Sequence, residues 1–210
     1  MTFRFMPAPL FRNATLRRAL GDTRGAAAIE FALVCLPFLA LLGAIIQVAF
    51  VIWAAQNFDF AFQKAARSLF TGQFQQNNSQ SATSTVLLAA LQTTMCGSGA
   101  SAAPVLFNCS AVKIDIILGT ASGSSFAGST APSPVDPTTR DWAAGFGTHY
   151  ACAAPGKILI ATAAVKFPII FGLLDAGLSN FVDGSKLLES TAVFRTEPYA
   201  ASSNSPCPAS

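Results

Sequence analysis

Charge is scarce in this chain. Lysine, arginine, aspartate and glutamate make up 11% of 210 residues, where a soluble domain usually carries about 25%. Histidine is scarcer still. His149 is the single one, set in a Gly/Thr/Tyr-rich stretch that reads as a solvated or hydrogen-bonded loop position. A serine hydrolase needs a histidine base, and a zinc site draws on histidines and paired cysteines. The chain has no C-x-x-C, no G-x-S-x-G and no glycine loop followed by lysine to cradle phosphate. GFG at 145–147 is a turn signal. Asp115, Asp141, Asp175 and Asp183 are scattered and read as strand-edge or turn residues, leaving open only a carboxylate pair assembled in space. These absences exclude the common catalytic constellations. No enzyme activity, cofactor or metal is expected.

The positive charge is unevenly placed. Residues 1–25 hold Arg4, Arg12, Arg17, Arg18, Arg24 and one acid, Asp22, a balance of +4 against +3 for the whole chain, so the remainder carries −1. Arginines gathered before an apolar segment keep that side cytoplasmic. They are not a nucleic-acid footprint, and no nucleic-acid partner is expected.

What the chain has in abundance is apolar sequence, 52% of residues. Most of it gathers at 24–56, RGAAAIEFALVCLPFLALLGAIIQVAFVIWAAQ, where after Arg24 only Glu30 and the amides Gln47 and Gln56 are polar. Phe31 to Phe50 is 20 residues. At ~1.5 Å per residue this spans the roughly 30 Å hydrocarbon core of a bilayer. A secretory signal peptide would have an apolar core of roughly 7–15 residues and then a small-residue cleavage site. Here the run is longer and passes straight into an amphipathic pattern. At 53–70, Ala54, Phe58, Ala61, Phe62, Ala65, Ala66, Leu69 and Phe70 recur mostly three or four apart, with Gln56, Asn57, Asp59, Gln63, Lys64 and Arg67 opposite. Gly72 is a natural stop. One helix is therefore predicted from about Ala26 to Leu69, roughly 65 Å long, with Pro37 loosening a turn.

A carboxylate inside such a segment is a functional candidate by default. Glu30 has two readings. It sits at headgroup level, where its cost is small. Alternatively, if the chain is cut after Gly25, the new amine at Ala26 and the helix N-terminus both favour a carboxylate within the first turn. A neighbouring subunit's amine would do the same and fix axial register, as single buried polar groups do in coiled coils.

The order Gly25, four residues, Glu30 and an apolar helix resembles the processing site of type IV pilins and their relatives. In those proteins a prepilin peptidase cuts on the cytoplasmic side and leaves the helix in the membrane. The wording RGAAAIEFALVCLPFLALLG resembles more closely the TadE-like family, minor pilin-like proteins (pseudopilins) of tight-adherence pilus systems of the Tad or Flp type. Phe58–Gly72, with A-A-R closing the helix, and Thr191–Tyr199, TAVFRTEPY, are also similar to that family. Together the matches cover roughly residues 24–72 and 157–199.

The resemblance implies a minor pilin-like subunit needed for pilus assembly and surface attachment. Residues 1–25 would be a basic leader removed by prepilin peptidase at Gly25–Ala26, 26–56 a transmembrane helix, and 57–210 an exported α+β domain. The protein would sit in the inner membrane, N-terminus cytoplasmic and C-terminal domain outside. Its partners would be other pilin or pseudopilin subunits and the assembly platform, met through Glu30 and Phe31. Two alternatives stay open: an uncut, signal-anchored binding module, and a secreted domain released by signal peptidase.

Past the helix, 73–84 is a polar turn. A second helix is predicted over about Ala82–Met95, with Ser79 or Ser81 as cap and Val86, Leu87, Ala90 and Leu91 as its apolar stripe. Strands are predicted at Ala111–Gly119, Lys157–Phe167 and Lys186–Glu197. The segment 119–148 reads as a flexible loop, and 167–184 as an apolar connection with a short helix. Strands as apolar as Ile158–Val165 cannot leave both faces in water. The fold class is therefore α+β, pilin-like, with the long N-terminal helix laid over a small antiparallel sheet. Cys35 reads as an unpaired small hydrophobe in the membrane helix. Cys96, Cys109, Cys152 and Cys207 are even in number and suit an oxidising exterior. Cys96–Cys109 is the first pairing choice, and Cys152–Cys207 follows by subtraction. Three connectivities remain open.

Overall fold

One helix, α1, runs from Ala26 to Phe70 without a break in the computed structural model. Residues 25–78, 82–97, 105–119, 130–172 and 177–199 are described. Pro37 lies inside α1 and does not end it, although its ring nitrogen has no hydrogen to donate back along the helix. The chain divides into two compact units between Ile45 and Ile46, within α1.

The first unit is the apolar start of α1. Ile29, Phe31, Leu33, Val34, Leu36, Phe38, Leu39 and Leu41 are each more than half exposed. None of the described residues of the unit covers them.

In the second unit α1 becomes one-sided. Ala54, Phe58, Ala61, Phe62, Ala65, Ala66 and Leu69 are buried, while Gln56, Asp59, Gln63, Lys64 and Arg67 are exposed. This is the amphipathic face that the spacing predicts. Gly72 ends the segment with φ 74°, a left-handed conformation that favours glycine. A Cβ there would lie 2.3 Å from the Tyr199 ring, so the close approach demands glycine as well.

After α1 comes a short helix, α2, Gln73–Asn77. The next helix, α3, is Ser84–Cys96, capped by the Thr83 hydroxyl, which accepts from the Val86 N–H. Two expectations need correction. The cap is Thr83, not Ser79 or Ser81, which lie outside the described residues. The buried stripe is Leu87, Leu88, Leu91, Met95 and Cys96, with Val86 56% exposed. The stripe turns by about one residue because the bulkier Leu88 and Met95, not Val86 and Ala90, fill the core.

The main sheet has three strands, β1 Lys113–Leu118, β4 Ile158–Phe167 and β5 Lys186–Arg195, in the order β1-β4-β5 and antiparallel throughout. β4 is central and buried along nearly its whole length, which is why it reads as an unbroken apolar run. Its register pairs Ile114 with Ala163 and Ile116 with Ala161 on one side, and Leu188 with Val165 on the other. These residues, with Leu159 and Phe167, share one core with Phe58, Phe62 and Leu69 of α1 and Leu87, Leu91 and Met95 of α3. The long helix thus packs on a small antiparallel sheet in an α+β fold. β5 stops at Arg195, two residues short of the predicted end: the Thr196 N–H still bonds the Lys157 carbonyl in the β4 register, but the Glu197 N–H turns to the carbonyl of Phe70 in α1.

The described part of the predicted loop at 119–148 carries structure. Two-residue strands β2 Val135–Asp136 and β3 Asp141–Trp142 pair as a hairpin. Trp142 stacks on Phe146 at 6.0 Å and meets Phe181 at 5.1 Å. Lys113 of β1 and Lys166 of β4 lie over these rings. By register these lysines are on the sheet face opposite the helices, so the hairpin covers the second face. In the described part of 168–185 the chain is irregular and turn-like, with no helix longer than a single turn.

Candidate functional site: an exposed apolar helix start

Gly25 precedes the first residue of α1. A Cβ built on it meets nothing within 4 Å, and it needs no left-handed φ. None of the described residues therefore requires glycine there. Ala26 opens the helix; Glu30 is its fifth residue and is exposed. The first turn itself holds no acid. As the fifth residue Glu30 stands just past that turn, where the pull of the helix N-terminus is weaker. Phe31 beside it is 70% exposed.

Beside Glu30, the same helix carries a shallow groove that Glu30 does not line. Ala28 and Ala32, one turn apart, form the floor of this groove, walled by Ile29, Leu33, Leu36 and Pro37. Small residues four apart let a second helix approach closely in a lipid setting. Among the described residues this is the one helix long and apolar enough to cross a membrane, a single N-terminal helix consistent with a membrane anchor.

The rest of the molecule holds α1 through polar side chains that satisfy distant backbone groups. The Asn57 side-chain oxygen accepts from the Leu106 N–H at 3.1 Å. The Ser190 hydroxyl of β5 donates to Asp59. Gln47, 2% exposed, accepts from the Phe171 N–H at 2.6 Å. The sequence reading noted Gln47 only as a break in the apolar run. The lone amide was the signal, but its partner lies 124 residues away.

The scattered acids resolve into two arrangements. Asp115 is buried; it accepts the backbone N–H groups of Gly147 and His149 and lies 3.1 Å from His149 Nδ1. It anchors the 145–149 turn to β1. Asp141 and Asp183 meet across Lys166 Nζ, at 3.0 and 2.9 Å. The Lys166 and Ser185 hydrogen bonds pull the Asp183 carboxyl down to about 2. The Trp142 backbone N–H, then Lys166, lowers that of Asp141. A lysine holds this pair of acids as a structural clamp. Asp175 lies outside the described residues. Among the described residues no group of three or more His, Cys, Asp or Glu stands ready for a metal.

Cys96 at the end of α3 is bonded to Cys109. Cys35 is free. Cys152 is disulfide-bonded, and its expected partner, Cys207, lies outside the described residues.

Residues 25–67 match the family model described as TadE-like protein. No curated protein and no solved structure matches the chain. The matched span starts at the open glycine and runs along α1 to Arg67, through both the exposed apolar surface and the amphipathic face. The family's setting is the Tad pilus machinery. Residues 25–67 are thus similar to the TadE-like family, which is pilin-like and structural, not catalytic.

Proposed function

We propose that this protein is a minor pilin-like subunit required to assemble a Tad or Flp-type pilus. A prepilin peptidase cuts at Gly25–Ala26. The freed helix stays in the inner membrane, with the basic leader cytoplasmic and the α+β domain on the far side. There it packs against other pilin or pseudopilin helices and the assembly platform, with Glu30 and Phe31 setting the register. The observation that carries this reading is the coincidence of the family match with an apolar helix surface that the chain leaves uncovered. A helix exposing eight large side chains on all sides needs lipid or other helices around it.

Gly25 adds support of a different kind. Among the described residues there is open space at its Cβ position, so none of them requires glycine there. A peptidase channel that admits only a small-sided backbone would require it. Gly25→Val should therefore leave folding intact and abolish processing, yielding a membrane protein that keeps its leader. Immunoblotting of wild type and variant in the producing cell reads this directly. Normal processing of the variant would remove Gly25–Ala26 as the site.

A further inference from the structure

The exported domain carries apolar surface of its own at the level where α1 emerges. On α1, Val48, Ile52 and Trp53 are 41%, 53% and 59% exposed. On the other side of the helix, the irregular segment after β4 brings Ile170, 64% exposed, and Phe171, 44% exposed. No charged residue occurs between Phe31 and Phe58, or between Phe167 and Leu174. Phe50 of α1 and Phe167 of β4 pack at 5.7 Å beneath this surface.

The two sides are joined by Gln47. Its side chain is buried, and its oxygen takes the Phe171 N–H at 2.6 Å. Irregular backbone is expensive at membrane depth, because lipid offers no partner for an open N–H. A buried amide that supplies the partner is the device such a segment needs. The Gln47 side chain is itself buried, so it brings the partner to a place that solvent does not reach. Trp53, about nine ångströms farther along the helix at ~1.5 Å per residue, suits the headgroup zone where indole rings collect.

From this geometry we infer that the 168–171 segment, with Val48, Ile52 and Trp53, forms a collar that sinks into the bilayer leaflet on the domain's side and sets the depth of the anchor. The occupant is lipid. A partner subunit would cover one side of the helix, whereas this apolar surface lies on both sides of Gln47 and runs on from the exposed anchor along the same helix. An interfacial element of this kind reaches roughly 5–10 Å into the headgroup and acyl boundary. The inference rests on the membrane-anchor reading of α1.

The test uses the full chain in a Cys35→Ser background, reconstituted in phosphatidylcholine vesicles. An environment-sensitive fluorophore is attached through Ile170→Cys, Phe38→Cys or Val193→Cys, and lipid nitroxides at a shallow acyl position act as quencher. The unlabelled parent sets the background. Ile170, Phe38 and Val193 are all more than half exposed, so the labels displace no core. The expected result is loss of fluorescence at 170 and 38 and none at 193. Quenching at 38 with 170 as bright as 193 overturns the collar and leaves the anchor standing. Brightness at all three overturns the anchor and the collar with it. Protection of 170 that appears only with a co-purified pilin partner also overturns the collar, in favour of a protein contact.

Discussion

Gly72 answers two demands at one position. Its φ of 74° belongs to the left-handed region, and the Tyr199 ring occupies the space a Cβ would take. Gly72→Ala should destabilise the protein by about 1–3 kcal/mol, read as a lowered Tm of the detergent-solubilised chain. Adding Tyr199→Ala should recover the steric share and leave the backbone share. No recovery would mean that the ring is not what excludes a side chain. Glu30 is a different case, since it is exposed among the described residues. If it partners an amine that exists only after cleavage, Glu30→Leu should be inserted and processed yet fail to co-purify with pilin partners. A loss of ~1.4 kcal/mol already lowers an assembly constant tenfold. Normal piliation of that variant would leave Glu30 at most a recognition mark for the peptidase. The Gly25 and Glu30 pattern is a local signal, six positions of one helix start. Gln47 and Gly72 were only half legible. Each stood out as an amide or a glycine, but what it meets comes from the far end of the chain.

The elements divide along similar lines. The buried face of α1 was readable residue by residue, because a periodic stripe this long averages out its exceptions. The thirteen residues of α3 give too few repeats for that, and one alternative stripe fitted as well as the real one. The β2-β3 hairpin was invisible, since strands of two residues carry no alternation. What holds it is the ring cluster and the Lys166 clamp, formed by residues from three separate stretches. That clamp makes a pH prediction. The Asp183 carboxyl is depressed from 3.8 to about 2, so its contribution is complete above its unfolded value and fades as pH falls from about 4 toward about 2. Lys166→Met removes the first cause of the shift. The variant should lose less Tm than wild type across that acid range, though not nothing, because Ser185 still donates. Equal acid sensitivity would show that the clamp does not hold Asp183. The Cys96–Cys109 bridge closes a separation of 13 residues between α3 and β1. Cys96 and Cys109 replaced by Ser together should lower stability by about 3 kcal/mol, and an unchanged Tm would make the bridge incidental.

At the scale of the whole molecule, the α+β arrangement was legible because two facts force it: a strand apolar on both faces must be central, and a helix with one apolar stripe must cover something. The sequence left open what covers the sheet's second face, since Trp142, Phe146 and Phe181 show no periodicity. The second unit is a small disulfide-bonded α+β domain, and among the described residues the first half of α1 is bare. The proposal that this bare half is a processed pilin-type anchor meets its most direct test in the intact mass of the protein purified from its own membrane. A mature chain beginning at Ala26, lighter than the full sequence by residues 1–25, is the expected result. A chain still beginning at Met1, or one beginning beyond Ala55, would contradict it.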